Sequence, residues 1–372
     1  MNPHYLIHDP SQIPSPALLF YKPLIEQNIA QAISLAGNPG RLRPHAKTHK
    51  TREIIQLEMA AGILKHKCAT LAEAEMIASC GVRDVFIAYN MVGPNCRRLA
   101  RLAQNYPDCR FSVTGDAAAA LRALSDAMAS TPAEVDVLLD LDVGQHRTGV
   151  APGPEAMALY ELINRLPGLR PGGIHAYDGH NHQESVDERR AAVERLLGPV
   201  IELRAELRKK GLPVPRLVVA GTPTFPVFVR LDIPDLEFTP GTFVLHDHGY
   251  GSKFKDLGRF TPAALLLTRV ISRPTPNRVT FDLGYKAVAS DPPAGKRCAL
   301  LDVPDYEAVL QNEEHLVIET SAAANFKPGD VVYAMPTHIC PTVAMHKSAY
   351  VVENGGVVGS WDIVGRDRVL SV

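Results

Sequence analysis

Residues 63–89 read ILKHKCATLAEAEMIASCGVRDVFIAY, and the predicted architecture starts from this stretch. A β-type run, Ile63–Ala69, is followed by a segment with helical spacing, Leu71–Ser79, and then by a second β-type run, Asp84–Tyr89. Thr70 can cap the helix, and a glycine lies near the helix end. A strand, a helix and a strand in such close succession predict a βαβ unit with parallel strands.

The same alternation extends from about residue 40 to residue 240. The β-type runs are Leu42–Ala46, Ile63–Ala69, Asp84–Tyr89, Arg110–Thr114, Val135–Asp140, Gly172–Tyr177, Leu217–Ala220 and Leu236–Thr239. Several of them are apolar throughout, which is typical of parallel strands buried on both faces. Eight such units predict an α/β fold with a (β/α)8 TIM barrel over 22–245. No G-x-G-x-x-G turn opens a helix, which argues against a dinucleotide-binding sheet.

The pattern changes after residue 245, where β-type runs follow one another with few helical stretches between them. Asn354-Gly355-Gly356 separates two of these runs and is typical of a hairpin turn. We therefore expect an antiparallel β domain over 246–372. We expect 1–21 to join it, because Pro16–Tyr21 is a β-type run that precedes the barrel.

Composition narrows the classes of function. The chain has 372 residues, with 39 Lys plus Arg against 40 Asp plus Glu and no sustained block of either sign. This balance argues against nucleic acid or a membrane as the main partner. Neither a secretory signal nor an apolar run near the roughly 20 residues of a membrane helix is visible, so a cytoplasmic location is expected. The six cysteines form no CxxC pair and are expected to be free thiols or ligands.

Lys47 is the first candidate for chemistry. It lies in the run Arg43-Pro44-His45-Ala46-Lys47-Thr48-His49-Lys50, at the end of the first predicted strand, where a TIM barrel carries catalytic residues. The surrounding positive charge disfavours its ammonium form and would make it a better nucleophile for a Schiff base. The alternative is a solvated basic turn.

Later barrel loops carry three further candidate groups. Arg147 follows the fifth strand and could hold a phenolate or carboxylate. The run 175–182 gathers three histidines around Tyr177 and an aspartate, which favours a site over a plain loop. Gly-Thr turns at 221–222 and 241–242 follow the seventh and eighth strands, where barrels commonly bind phosphate.

The last candidate pair, His338 and Cys340, lies in the β domain. On an extended strand, residues two apart project to the same face, so imidazole and thiol would share one space. Zn²⁺ suits this donor pair best, and two ligands would leave open positions, as in a catalytic site. A buried cysteine beside a hydrogen-bonded histidine is the alternative.

Taken in this order, the motifs resemble the metal-activated pyridoxal phosphate enzymes of the D-threonine aldolase and D-serine dehydratase family, which have the alanine-racemase-like fold. The resemblance implies that Lys47 forms a Schiff base with pyridoxal 5′-phosphate and that His338 and Cys340 hold a divalent metal, Zn²⁺ or Mn²⁺. His180 and His182 are candidates for a further base. A homodimer is also implied. The implied cofactor-binding residues are Lys47, His45, Arg147, Tyr177, Gly221, Thr222, Gly241 and Thr242.

The resemblance implies a lyase acting on D-3-hydroxy amino acids. We expect a D-threonine aldolase, which yields glycine and an aldehyde, because the end of the chain is more similar to aldolases. Cys340 favours the alternative, a D-serine or D-threo-3-hydroxyaspartate dehydratase that yields a 2-oxo acid and ammonia, since dehydratases carry cysteine where aldolases carry aspartate. An amino-acid racemase is a more distant alternative, because it has no use for the metal motif.

Overall fold

The computed structural model describes residues 3–372, which group into two compact units. The barrel unit comprises Ala32–Lys47, Ile55–Gly241 and Asp367–Val372, and the β-rich unit comprises 3–31, Thr48–Ile54 and Thr242–Arg366. The domain bounds inferred from the sequence stay a prediction.

Strands and helices are numbered in chain order. The strands are β1 Ala17–Tyr21, β2 Lys65–Cys68, β3 Asp84–Asn90, β4 Arg110–Gly115, β5 Val135–Asp140, β6 Leu169–Ala176, β7 Leu217–Val219, β8 Leu236–Phe238, β9 Ala264–Ser272, β10 Arg278–Phe281, β11 Cys298–Leu300, β12 Glu307–Gln311, β13 Leu316–Glu319, β14 Val331–Pro336, β15 Ser348–Glu353 and β16 Gly356–Asp362. The α-helices are α1 Lys22–Ala36, α2 Arg52–Ala60, α3 Leu71–Ser79, α4 Pro94–Asn105, α5 Ala118–Met128, α6 Pro154–Arg165, α7 Val186–Lys209, α8 Phe225–Phe228, α9 His248–Lys253 and α10 Ile339–Met345. Across residues 3–372, none of the helices has the length and apolarity needed to cross a membrane.

A seven-stranded parallel sheet, in the order β2-β3-β4-β5-β6-β7-β8, forms the barrel unit. The first βαβ unit consists of β2, α3 and β3. The hydroxyl of Thr70 accepts the backbone N–H of Glu73 at 3.1 Å and caps α3, as the sequence predicts. Phe86, Leu138 and Val218, from three different strands, form a buried apolar cluster. Burial of both faces of such strands supplies the main driving force for the fold.

The prediction of eight strands is wrong at 42–46. This segment makes only isolated bridges in the described chain, and in the barrel unit these pair Leu42 with Phe238 of β8 and His45 with Lys67 of β2. The carbonyl of Pro44 accepts the backbone N–H of Lys67 at 2.8 Å, but Pro44 has no N–H to donate, so a regular ladder cannot form. The segment nevertheless contacts both edge strands of the seven-stranded sheet.

Arg43 anchors this bridging segment. Its buried guanidinium forms two hydrogen bonds with Asp84 at 2.7 and 2.9 Å, and its Nε donates to Glu237 at 2.6 Å. Such a forked arrangement has strong directional preference. Burial raises the pKa of Asp84, but the Arg43 charge outweighs burial and brings that pKa down to about 2.

The β-rich unit holds a nine-stranded sheet that is mixed, although most of its pairs are antiparallel. The prediction of an antiparallel domain is confirmed for most pairs and wrong for one, because β1 runs parallel to β15 while pairing antiparallel with β9. The hairpin predicted at Asn354-Gly355-Gly356 is confirmed between β15 and β16. Asn354 and Gly355 have φ of 49° and 74°, the positive values that a tight hairpin turn requires.

Candidate active site

A cavity of about 410 Å³ opens in the barrel unit at the carboxyl ends of β2 to β6. Its lining includes Ala69 after β2, Asn90 at the end of β3 and Thr114 in β4. Because parallel strands end at one rim of a barrel, residues distant in sequence meet there. The volume falls in the range of roughly 300–1,000 Å³ that is typical of small-molecule sites.

Four of the residues singled out from sequence line this cavity together: His45, Lys47, Arg147 and Tyr177. Lys47 lies in a 3-10 turn, Ala46–Thr48, directly after the bridging segment. The Nδ1 atom of His45 accepts the backbone N–H of Lys47 at 3.4 Å, so the histidine helps to shape the turn.

Tyr177 is held from several sides. The guanidinium carbon of Arg147 lies 5.1 Å from the centre of its ring, within the range of a cation–π contact. A Cβ atom added at Gly221 would lie 3.3 Å from the ring, and one at Gly179 would lie 2.3 Å from it, too close to be tolerated. Two glycines therefore let the backbone pack closely against the aromatic ring.

The cavity also holds a connected group of which only His175, in the run 175–182, was among the candidates from the sequence. The Nδ1 atom of His175 lies 2.7 Å from a carboxylate oxygen of Asp140, and its Nε2 lies 2.9 Å from the Nζ of Lys67. All three side chains are buried. Asp140 ends a strand that is otherwise largely apolar, which is a signal in the sequence, whereas Lys67 follows two polar residues and gives no such signal.

Burial sets the protonation of this group. It lowers the pKa of the Lys67 amine well below its usual value, and the nearby Lys47 charge lowers that pKa further. Burial, followed by the Lys67 charge, also lowers the pKa of His175. Burial raises the pKa of Asp140, but the interaction with His175, which includes a hydrogen bond, outweighs burial, so the carboxyl pKa ends below its usual value.

Three residues of the two Gly-Thr turns, Gly221, Thr222 and Gly241, belong to the barrel unit. The backbone N–H of Gly241 donates to the hydroxyl of Thr222 at 3.1 Å, and the N–H of Gly221 donates to Thr224 at 3.2 Å. Thr242, the fourth residue of the predicted phosphate group, belongs to the β-rich unit, where its hydroxyl lies 3.7 Å from the sulfur of Cys340.

His180 and His182 are exposed, and neither belongs to the cavity lining in the described part of the chain. The Nε2 atom of His180 lies 3.2 Å from the point where a Cβ on Gly144 would stand, so its ring packs against that loop. The structure therefore brings neither of them together with Lys47.

The metal motif does not lie on an extended strand, so that prediction is wrong. Strand β14 ends at Pro336, His338 occupies the position before α10, and Cys340 lies in the first turn of that helix. Pro341 explains the change, because proline is favoured in the first turn of a helix. The two side chains still interact: burial lowers the pKa of His338, but hydrogen bonds to Cys340 and Asp291 outweigh it and raise that pKa to about 9.

The donor chemistry fits a metal held by two protein ligands. The Nδ1 atom of His338 lies 2.5 Å from a carboxylate oxygen of Asp291, which leaves Nε2 as the nitrogen available to a metal. A carboxylate on the far nitrogen commonly orients a ligating histidine. Among residues 3–372, no group of three or more His, Cys, Asp or Glu side chains is arranged to hold a metal ion. The remaining positions would then belong to water or substrate.

The barrel cavity likewise fits pyridoxal phosphate. It offers an amine at Lys47 for the aldehyde of the cofactor and a fixed cation at Arg147 for a ring oxygen. The turn at Thr222, to which Gly241 is hydrogen-bonded, supplies a hydroxyl of the kind that binds phosphate.

Comparison with known proteins agrees with this geometry. The alanine racemase N-terminal domain matches residues 23–234, and a serine dehydratase domain matches 263–352. D-threonine aldolase of Arthrobacter sp is 32% identical over 87% of this chain and 85% of its own length. D-threo-3-hydroxyaspartate dehydratase of Delftia sp. (strain HT23) is 25% identical over 94% of this chain and 96% of its own length.

Solved structures show the same likeness. The crystal structure of D-threonine aldolase from Filomicrobium marinum superposes with a TM-score of 0.88 at 29% identity, over 95% of this chain and 96% of that one. An alanine racemase from Clostridium difficile 630 shares the fold, with a TM-score of 0.75 at 13% identity over 94% and 99% of the two chains. The protein is therefore a member of the alanine-racemase-like family of pyridoxal phosphate enzymes, among the relatives of D-threonine aldolase and the hydroxyaspartate dehydratases.

Proposed function

We propose that this protein is a pyridoxal phosphate- and divalent-metal-dependent lyase that cleaves D-3-hydroxy amino acids, with D-threonine as the preferred substrate class. The observation that carries the proposal is the meeting of Lys47, Arg147 and Tyr177, which are far apart in sequence, around one cavity. The similarity of this chain to D-threonine aldolase over most of both chains supports the same substrate class.

The residues of the barrel unit divide the work of holding the cofactor. Lys47 would hold it through its amine, and Arg147 would set a positive charge beside the ring oxygen. Thr222 and Gly241, already hydrogen-bonded to one another, would hold the phosphate together with Gly221. When bound, pyridoxal phosphate supplies an electron-accepting ring that stabilises negative charge at Cα of the substrate.

His338 and Cys340 would hold the metal in the β-rich unit. Asp291 fixes the orientation of the imidazole through Nδ1, and the hydroxyl of Thr48 lies 3.2 Å from the sulfur of Cys340. A divalent metal supplies Lewis acidity toward a hydroxyl oxygen. Aldol cleavage additionally requires a base that takes the β-hydroxyl proton as the Cα–Cβ bond breaks.

Dehydration of the same substrates is the second candidate function, and Cys340 is the observation that favours it. The two reactions need the same groups, but dehydration removes the Cα proton and expels the β-hydroxyl group. Both reactions develop charge on the substrate and proceed better where water is excluded, so a fully exposed site would favour neither of them. Lys47 is only partly exposed, which agrees with either reaction.

The test is a product assay. The purified protein, supplied with pyridoxal phosphate and Mn²⁺ or Zn²⁺, is incubated with D-threonine, D-serine or D-threo-3-hydroxyaspartate. We expect D-threonine to yield glycine and acetaldehyde. Formation of 2-oxo acid and ammonia without glycine would replace the aldolase assignment by the dehydratase.

The assignment of Lys47 has its own test. Borohydride reduction followed by peptide mapping should leave the cofactor on the peptide that contains Lys47, and Lys47→Met should abolish this labelling. Cofactor recovered on another lysine peptide would contradict the assignment.

A further inference from the structure

Lys67 is a buried lysine of the barrel whose role is unexplained by cofactor or metal binding. It lies in β2 at 2% exposure and contributes to the cavity that also contains Lys47. Lys65, two residues earlier in the same strand, pairs with a carboxylate oxygen of Glu237 at 2.6 Å. Lys67 differs, because its two hydrogen-bond partners within residues 3–372 are an imidazole and a hydroxyl. A buried ammonium without a direct carboxylate partner is unfavourable, so this site selects the neutral amine.

The directions of the hydrogen bonds follow from their outer partners. Ionised Asp140 accepts the Nδ1–H of His175, so the Nε2 lone pair of that imidazole accepts an N–H of Lys67. Thr239 donates its hydroxyl hydrogen to the carbonyl of Ala220 at 2.8 Å and therefore accepts the second N–H of Lys67, at 3.1 Å.

Both hydrogens of a neutral Lys67 amine thus form hydrogen bonds, and the remaining tetrahedral position of the nitrogen carries the lone pair. The aromatic rings nearest to the nitrogen are those of Phe86 and Tyr177, with centres at 5.6 and 5.3 Å. Because Lys67 also lines the cavity, the amine is arranged as a base toward a small molecule bound there.

The charged groups around Lys67 act mostly in one direction. After burial, the positive charges of Lys47, Arg147 and Arg43 disfavour the ammonium form, whereas the carboxylate of Asp140 favours it. The other titratable neighbours are two histidines and a tyrosine. His175 is stacked parallel to Tyr177, and His45 forms a β-bridge with Lys67.

We propose that Lys67 is the proton-accepting amine of this cavity and that His175 and Asp140 are its positioning residues. The assignment rests on the proposed function, because the proton in question is that of the β-hydroxyl group of a D-3-hydroxy amino acid. The lone pair of Lys67 takes this proton while the electron pair of the Cα–Cβ bond remains on Cα and the aldehyde is released. The ammonium then returns the proton to Cα, which gives glycine and regenerates the neutral amine.

The first test needs no turnover. The purified protein is reductively methylated with formaldehyde and cyanoborohydride from pH 6 to pH 11, and modified lysines are quantified by peptide mapping. An ordinary lysine titrates near pH ~10.4, so its rate should keep rising to the end of the range. The rate at Lys67 should level off at a lower pH than the rates at the other lysines, because burial favours its neutral amine. A rate at Lys67 that rises to the end of the range, or no modification, would overturn the proposal.

The second test uses variants. Lys67→Met should lower kcat by roughly 10²–10⁴-fold, as expected for loss of a general base, with an unchanged melting temperature and cofactor absorbance. Lys67→Ala should regain activity with added methylamine or ethylamine, at rates that follow the pKa of the added amine. Lys65→Met, in the same strand, is the matched control and should keep kcat within about 3-fold.

The two tests separate the two proposals. If wild-type protein forms no glycine from any D-3-hydroxy amino acid, the proposed function fails, and methylation still decides whether Lys67 is a neutral amine. If wild-type protein forms glycine but Lys67→Met keeps more than a third of kcat, Lys67 is not the base and the proposed function stands.

Discussion

The sulfur atom of Cys340 lies 3.2 Å from the hydroxyl oxygen of Thr48, the residue that follows Lys47 in the chain. The hydroxyl of Thr242 lies 3.7 Å from the same sulfur, and the imidazole of His338 interacts with it. Hydroxyl and imidazolium donors stabilise a thiolate, which is the form of cysteine that binds metals. The surroundings of Cys340 therefore suit a ligand better than an inert buried thiol.

Replacing this sulfur should change metal binding without unfolding the chain. We expect Cys340→Ala to lose stoichiometric metal and lyase activity, yet to keep its cofactor absorbance and melting temperature, because the fold has its own apolar core. Cys340→Asp should keep part of the activity and shift the preference from Zn²⁺ toward Mn²⁺, a harder ion. Metal analysis and activity with each ion measure both effects.

A second cysteine of the β-rich unit provides the control for this experiment. Cys298→Ala should keep both metal and activity. Loss of metal in the Cys298 variant, or full metal content in Cys340→Ala, would contradict the assignment of Cys340 as a ligand.

Asp140 should control the proton on His175. In Asp140→Asn the side chain can donate an amide hydrogen to Nδ1 of His175, which places the imidazole hydrogen on Nε2. That hydrogen then faces the N–H of Lys67, so Nε2 can no longer accept a hydrogen bond from the amine. We expect kcat to fall at least 10-fold and the pH profile of kcat to shift, with little change in the affinity for the cofactor. An unchanged pH profile in this variant would argue against the role of His175 as an acceptor.

The ion pairs of Arg43 should make the fold sensitive to acid. The pKa of Asp84 is about 2 in the folded protein, against about 3.9 in an unfolded chain. Because the folded value is the lower one, the stabilisation is present above pH ~4 and is lost as the pH falls toward 2. We expect Asp84→Asn to lower the free energy of unfolding by about 2 kcal/mol at pH 7.

Urea denaturation at several pH values measures this difference. The gap between wild-type protein and Asp84→Asn should narrow as the pH falls from 4 to 2.5. A gap that is constant over this range would show that the carboxylate charge of Asp84 does not stabilise the fold.

Gly179 should be needed for the position of Tyr177. A Cβ at this site would lie 2.3 Å from the ring, so Gly179→Ala must displace either the ring or the loop. We expect weaker cofactor binding, measured by fluorescence titration, because Tyr177 lines the cavity. Gly198→Ala in α7 is the matched control: nothing lies within 4 Å of the added methyl group, and the substitution should stabilise the helix slightly.

Local signals explain which parts of the fold could be predicted from the sequence. Helix α3, Leu71–Ser79, begins and ends as predicted, since its Thr70 cap and its composition agree. The segment 42–46 was predicted as a strand because its composition does not distinguish a strand from an irregular extended segment. Pro44 prevents a regular ladder only if its missing N–H would have paired with a neighbouring strand, and the sequence does not show that. His338 and Cys340 were assigned to a strand because spacing alone does not reveal the helix start that Pro341 favours.

The role of Lys67 could not be predicted for a different reason. Lys65-His66-Lys67 has the composition of a solvated edge, and nothing local indicates that its third residue is buried. Burial of Lys67 depends on His175 and Thr239, which lie 108 and 172 residues further along the chain. Only the barrel topology brings these partners to one side chain.

The bridging segment also bears on the order of events during synthesis. Arg43 and its partner Glu237 are 194 residues apart in sequence, and the turn that carries Lys47 follows Arg43 directly. On the ribosome, the bridging segment can contact β2 and Asp84 early, but its partners in β8 are missing until that strand has left the exit tunnel. We expect a nascent chain that ends before β8 to leave the Lys47 turn held on one side only. Cofactor capture would then be a late event, which reports that the whole barrel sequence has been translated.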